Sequence, residues 1–242
     1  MINYKTAIII VVFNISNLIL TQIELIRKFC NDDGFDIIVI DNSSVFYISD
    51  EIKKHTINAN CIYDKTPRGP VDFSHSHAFA CNYAYNKFQS EYEFLFFLDH
   101  DNFPTTNFSV KNILGDKIIG GIGQSRKTKI YFWPGCLMFN NTKIDKTLIN
   151  FSTNNDLGLD TGGMLYKIIE TYGQNNCLFF DEYLIKNELF DGTSYNNYAI
   201  ISKQSFSFMH FINASNWNPI VKNENRISSL LKILHSRIES KQ

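Results

Sequence analysis

Three stretches of this chain are apolar without alternation: Ala7 to Phe13, Phe35 to Ile40 broken only by Asp36, and Phe94 to Leu98. A strand with one wet face alternates apolar and polar residues. A β-branched or aromatic run that does not alternate must be covered on both faces, as the central strands of a parallel sheet are. Between the first two runs, Leu18, Ile19, Ile23 and Ile26 recur at helical spacing. Strand, helix and strand at that distance form a βαβ unit, whose two strands are parallel. The expected fold class is therefore α/β, with a mostly parallel central sheet flanked by helices.

The same reading extends along the chain. Ile48 to His55 reads as a second helix, Ala59 to Tyr63 as a third strand, and Thr66-Pro67-Arg68-Gly69-Pro70 as a loop. A helix follows around His77 to Phe88, and the run Phe94 to Leu98 stops at Asp99. Beyond it the pattern loosens. Ile118 to Gly123 and Lys129 to Trp133 read as short strands, Trp133-Pro134-Gly135 as a turn, and Cys136 to Phe139 as a strand. Gly163 to Tyr172 is expected to be a helix, Phe206 to Phe211 a late strand, and Ile227 to Ile238 an amphipathic helix. With 242 residues and neither repeat nor linker, the chain is expected to be one domain over 1–242.

Net charge is −1, so no broad basic field is available to grip nucleic acid. Five dispersed cysteines include no CxxC pair, which argues against a zinc site or a disulfide framework and for a reducing compartment. No leader is evident and no run approaches about 18 apolar residues, so a cytoplasmic location is expected. The basic amphipathic tail from Arg226 to Lys241 could touch an anionic membrane surface, although packing against the domain is the expected role.

In open α/β sheets ligands bind beyond the carboxyl ends of the strands. Three features stand there: Phe13-Asn14, Asp41, and Asp99-His100-Asp101. Two carboxylates one residue apart after a buried strand can share a hard divalent cation such as Mg²⁺ or Mn²⁺, leaving coordination positions for a diphosphate. Asp41 has two readings, a cap for the next helix or an acceptor for a nucleoside hydroxyl or base. Ser74-His75-Ser76-His77 precedes small residues at Ala78, Ala80 and Ala84, placing the two histidines near a helix start for donor contact, packing or a metal. Asp160-Thr161-Gly162-Gly163 reads either as a turn with a capping aspartate or as the site of a general base for an acceptor hydroxyl. Asp156, Asp181 and Glu182 are rivals for that role. His210, followed by Asn213, Ser215, Asn216 and Trp217, is placed to reach back to Asp101 as a third metal ligand.

With those residues in view, the sequence resembles the family 2 glycosyltransferases of the GT-A (Rossmann-like) fold. The resemblance is carried by Val11-Val12-Phe13-Asn14, by Val39-Ile40-Asp41-Asn42-Ser43-Ser44, by the Ala-rich helix ending in Asn82, and by Leu98-Asp99-His100-Asp101. It covers roughly the first 140 residues and continues weakly to Gly135-Cys136-Leu137-Met138-Phe139. It implies a nucleotide-sugar-binding half over 1–103, a small mixed acceptor-side half over 104–220, and a C-terminal amphipathic helix over 221–242. Phe13, Asn14 and Asp41 would contact the nucleoside, with Val12, Ser43, His77, Asn82 and His100 as further donor-side candidates. Asp99 and Asp101 would hold Mn²⁺ or Mg²⁺ with His210, and Asp160 would be the base. The implied activity is metal-dependent, inverting transfer from a UDP-, GDP- or dTDP-linked sugar to a glycan or lipid-linked hydroxyl in lipopolysaccharide or capsule synthesis. Two departures stand out. Asp160-Thr161-Gly162-Gly163 sits where the family carries a Glu-Asp pair, and His75, Ser76 and His77 replace an Arg or Lys. The alternatives are a sugar-nucleotide nucleotidyltransferase, which would need a Gly-rich basic loop after the first strand, and a catalytically silent carbohydrate-binding or scaffold domain. A methyltransferase would require a glycine-rich first turn that is absent.

Overall fold

The computed structural model describes residues 5–67, 69, 73–185, 198–203, 206–212 and 224–240. The first half runs β1 (Thr6–Val12), α1 (Ile19–Phe29), β2 (Phe35–Asp41), α2 (Phe46–Asn58), β3 (Ile62–Lys65), α3 (Phe73–Phe88) and β4 (Phe94–Asp99). The second runs β5 (Asn102–Pro104), α4 (Val110–Leu114), β6 (Ile119–Arg126), β7 (Lys129–Asn140), α5 (Tyr166–Tyr172), β8 (Cys177–Ile185), β9 (Tyr198–Lys203), β10 (Phe206–Phe211) and α6 (Glu224–Glu239). Among the described residues the strands join in the order β3-β2-β1-β4-β7-β6-β8-β9-β10-β5.

The absence of alternation in β1 has a direct cause. Ile8, Ile10 and Val12 enter a core with Ile19, Ile23 and Ile26 of α1 and Leu230 and Leu234 of α6. Ala7, Ile9 and Val11 enter a second core on the opposite face, with Ala80, Ala84 and Tyr85 of α3 and Ile168 of α5. Each residue of the strand has an apolar partner because helices lie on both sides. The fold is a single α/β domain. Its parallel pairings are β3–β2, β2–β1, β1–β4 and β6–β8, whereas β4–β7, β7–β6 and the β8-β9-β10-β5 run are antiparallel. The sheet is thus mixed, with its parallel half first.

Several expectations are corrected. Trp133-Pro134-Gly135 is not a turn between two strands; β7 runs through it. The register with β6 jumps from Gly121↔Leu137 to Ile122↔Trp133, so Pro134, which has no N–H for a ladder, lies in the excursion. The third strand begins later than expected, because α2 continues to Asn58 and the chain turns at left-handed Asn60. Asp41 does not cap α2. Asn14, at φ +50°, reaches across from the β1 loop, and its Oδ1 accepts from Ser44 N (2.9 Å) and Val45 N (3.3 Å). The segment from Gly163 opens as a 3-10 turn before α5. The tail helix α6, by contrast, takes the packing role expected of it: Leu230 and Leu234 are fully buried, and Arg226 is buried with them.

Candidate active site

The carboxyl ends of β1, β2 and β4 share one edge of the sheet, because the three strands are parallel and in register. There the chain leaves β4 through Asp99-His100-Asp101 and immediately enters β5. Gln22 of α1, fully buried, fixes this corner: its Nε2 donates to the carbonyls of Asp99 and Asn102, each at 2.7 Å. Asn102 Nδ2 donates to Gly135 O at 2.8 Å, tying the corner to β7 as well. His100 N donates to Val11 O, and its Nδ1 lies 3.2 Å from the same carbonyl.

The late strand delivers the expected histidine. β10 pairs antiparallel with β5, placing His210 opposite Asn102, and Phe211 N donates to Asp101 O at 2.8 Å. His210 Nε2 stands 3.8 Å from Asp101 Oδ1, its Nδ1 stands 3.7 Å from Glu182 Oε1, and its ring packs 4.9 Å from that of Trp133. Burial pushes the imidazole pKa down, but the carboxylates of Asp101 and Glu182 outweigh it and hold the value above the ordinary 6.5. Residues 213 to 217, which follow His210, lie outside the described residues.

Asp99 takes its partner from α3. His77 Nε2 is 2.8 Å from Asp99 Oδ1, an ion pair at hydrogen-bonding distance. Burial works against both charges, yet the pairing prevails: His77 is held well above its ordinary pKa and Asp99 below its own. His75 instead meets Thr153 Oγ1 at 2.9 Å, so the two histidines of α3 do not share a ligand.

These groups face a cleft of about 410 Å³ whose wall includes Val11, Phe13, Asn42, His77, Asp99, His100, Asp101, Trp133, Asp160, Glu182 and His210. Phe13, His77, His100, Asp99, Asp101, His210 and Asp160 are thus brought together as the sequence suggests. Val12, Asn14, Asp41, Ser43 and Asn82 are not on that wall. Val12 points into the core under α1, and its neighbour Val11 reaches the cleft. Asn14 and Ser43 clasp each other's loops, Asn14 N donating to Ser43 Oγ at 2.8 Å. Asn82 holds the segment at 151–152, accepting from Phe151 N at 3.0 Å. Asp41 is fully buried, accepting from Ser43 N, Ser49 Oγ, Tyr63 OH and Lys65 Nζ between 2.5 and 3.1 Å. Burial raises its pKa, but the bonds from Ser49 and Ser43 and the charge of Lys65 bring it below the ordinary carboxylate value. A nucleoside reaching Asp41 would have to replace one of these donors.

On the acceptor side, Gly162 at φ +83° closes a turn in which Gly163 N donates to Asp160 O at 2.8 Å. A side chain at Gly162 would also strike Phe132 O, so only glycine fits. Asp160 Oδ1 accepts from Thr161 N, and Oδ2 is 3.4 Å from Arg126. Among the four carboxylates considered for the base, Asp160 and Glu182 line the cleft. Asp181 pairs with Lys203, and Asp156 is off the cleft wall. Gln22, Gln124 and Trp133 are functional-site residues that sequence reasoning missed. A polar residue at a core position of α1 was the available signal for Gln22.

A divalent cation fits by residue type. Asp101 Oδ1 is buried without a hydrogen-bond partner and His100 Nε2 likewise, so the corner holds polar atoms that the protein leaves unsatisfied. Among the described residues, no three His, Cys, Asp or Glu side chains converge as a ready-made metal cluster.

No protein-family model and no curated protein sequence matches this chain. Solved structures do. A mannosyltransferase from Pyrobaculum calidifontis, in complex with GDP-Man and Mn²⁺, superposes with TM-score 0.51 at 11% identity. The alignment covers 72% of this chain and 54% of that one, so this chain spans about half the length of that protein. Glucosyl-3-phosphoglycerate synthase from Mycobacterium tuberculosis, in complex with Mn²⁺, UDP and glucosyl-3-phosphoglycerate, matches with TM-score 0.50 at 11% identity, covering 73% of this chain and 69% of that one. At such identity the likeness is one of fold.

Proposed function

We propose that this protein is a metal-dependent glycosyltransferase of the family 2 type. It would move a sugar from a nucleotide-sugar donor to a hydroxyl of a glycan or lipid-linked acceptor, with inversion. The observation that carries this reading is the Asp99-His100-Asp101 corner at the carboxyl end of a parallel strand, with a buried Asp101 oxygen on the cleft wall that accepts no hydrogen bond. Asp99, Asp101 and His210 would hold Mn²⁺ or Mg²⁺, which supplies charge neutralisation for the diphosphate leaving group. The two superposed structures hold Mn²⁺ with GDP-Man or with UDP, which supports this assignment of the cofactor and donor class.

The remaining chemistry belongs to the chain. Phe13, at the end of β1, offers an aromatic wall for the nucleoside. Asp160 accepts the proton of the acceptor hydroxyl as its oxygen bonds to the anomeric carbon. The bond from that carbon to the diphosphate breaks, and the nucleoside diphosphate leaves with the electron pair. Glu182, also on the wall beside His210, is the second candidate for that proton. A cytoplasmic role in surface-polysaccharide synthesis is the setting we propose for such an enzyme.

Nucleoside diphosphate release from UDP-, GDP- and dTDP-sugars, with mixed oligosaccharide acceptors, tests the reading. With Asp160 as base, Asp160→Asn lowers kcat by about 10²–10⁴-fold with little change in donor KM. If Glu182→Gln has that effect and Asp160→Asn does not, the base is Glu182. Release from none of the donors contradicts the transferase reading.

A further inference from the structure

The wall of the cleft carries an uneven set of charges. Asp99, Asp101, Asp160 and Glu182 line it, and among the described residues neither Lys nor Arg does. A cation at Asp99 and Asp101 would serve the donor's diphosphate. On the other side the nearby cations are already engaged: Arg126, from off the wall, stands 3.4 Å from Asp160 Oδ2, and His210 Nδ1 stands 3.7 Å from Glu182 Oε1. An acceptor bearing a phosphate or carboxylate would have to compete with Asp160 and Glu182 for those same cations, which is unfavourable.

What that side does offer is an aromatic ring with hydrogen-bonding groups beside it. Ile122 pairs opposite Trp133, and Gln124 lies two residues further along β6, so the period-two alternation turns all three toward the cleft. Trp133 is half-buried, braced against the ring of His210. It lies directly over Gly135: a Cβ there would fall 2.1 Å from the indole and 2.6 Å from Asp99 Oδ2. Glycine at 135 therefore lets the indole sit flush against the carboxylate at which the donor would be held. Gln124 Oε1 is buried without a partner, an acceptor waiting for a donor hydrogen. Thr161 and Asp160 supply further polar atoms on the same wall. A pyranose has an apolar C–H face and a hydroxyl rim, which matches an indole flanked by such groups.

We propose that this is an acceptor subsite for an uncharged glycan, whose terminal pyranose stacks on Trp133 with its hydroxyl rim directed to Gln124 and the Asp160–Thr161 turn. The proposal names the acceptor class and rests on the transferase reading above.

Direct ligand binding separates the two. Saturation-transfer NMR on the whole chain would use methyl glucoside, methyl galactoside and methyl mannoside as probes, against 3-phosphoglycerate and glycerol 3-phosphate. The expected result is binding of at least one pyranoside through its ring C–H protons, with neither anion binding. Trp133→Ala weakens it about tenfold and Trp133→Phe restores most of it. Unchanged melting temperatures for both variants keep misfolding from mimicking the loss. Absence of pyranoside binding to the wild type, binding of the anions at equal strength, or indifference to Trp133→Ala overturns the proposal. Failure of the transferase reading shows elsewhere, as absence of nucleotide binding, and leaves this readout intact.

Discussion

The pair His77–Asp99 shows how much the site depends on single contacts. Asp99 is held below its ordinary 3.8, so its contribution to stability is present above that value and fades as pH falls through the lowered one. His77 is held well above its ordinary 6.5, so its contribution is full below 6.5 and is lost as pH rises through the raised value. The pair therefore stabilises the fold in the window between and weakens toward both extremes. Replacing His77 by Asn should cost about 1–3 kcal/mol in that window, less than for a fully enclosed pair because the cleft admits water. Urea unfolding of both proteins across a pH series checks this; a difference that stays constant with pH contradicts it. Gly135 is the second sensitive position. Gly135→Ala puts a methyl group into the indole and Asp99 Oδ2, so metal-dependent nucleotide binding should fall about tenfold or more, measured by calorimetry. Neither residue advertised this in sequence. The roles of His77 and Gly135 come from what the fold sets beside them.

Among the elements, α1 and α6 act at a distance from the chemistry. Gln22→Ala would leave the carbonyls of Asp99 and Asn102 without their donor in a buried place, at about 1–3 kcal/mol each, and loosen the corner they define. Thermal unfolding should report the loss of stability, and cation affinity should drop with it. In α6, Leu234 is fully buried against the first core. Leu234→Ala should cost about 2–5 kcal/mol in chemical denaturation if the helix is an integral part of the domain. A change near zero would mean that the helix is a detachable tail. The strands β1, β2 and β4 were legible because burial on both faces leaves an unbroken apolar run. β10 was legible from its aromatic cluster. β5, β8 and β9 were not: β5 is three residues long, and β8 mixes Asp181, Glu182 and Tyr183 into an exposed end. β7 was divided at Pro134 and Gly135 because a register excursion and a turn look alike in sequence.

At the scale of the molecule, the topology turns distant residues into one site. Asp99 and Asp101 come from the end of β4, His77 from α3, Trp133 from the β7 excursion, Asp160 from a loop, and Glu182 and His210 from the antiparallel half. The carboxylates at the strand end were readable because parallel sheets place ligands there. Asp41 and Asn14 were read as ligand contacts because they follow strands; in the structure the Asn14 side chain ties the β1 loop to the β2 loop, and that of Asp41 ties the end of β2 to α2 and β3. A sequence shows which residues stand at strand ends; it does not show which polar atoms the fold has already satisfied. The atoms left over, foremost Asp101 Oδ1, carry the central claim.

The measurement that tests that claim most directly is calorimetric binding of UDP, GDP, CDP and dTDP, with and without Mn²⁺, to the wild type and to Asp101→Ala. The account predicts that one nucleotide binds only when Mn²⁺ is present and that Asp101→Ala abolishes this binding while leaving the melting temperature of the metal-free protein nearly unchanged. Binding of no nucleotide, or binding that is indifferent to both Mn²⁺ and Asp101, would contradict it.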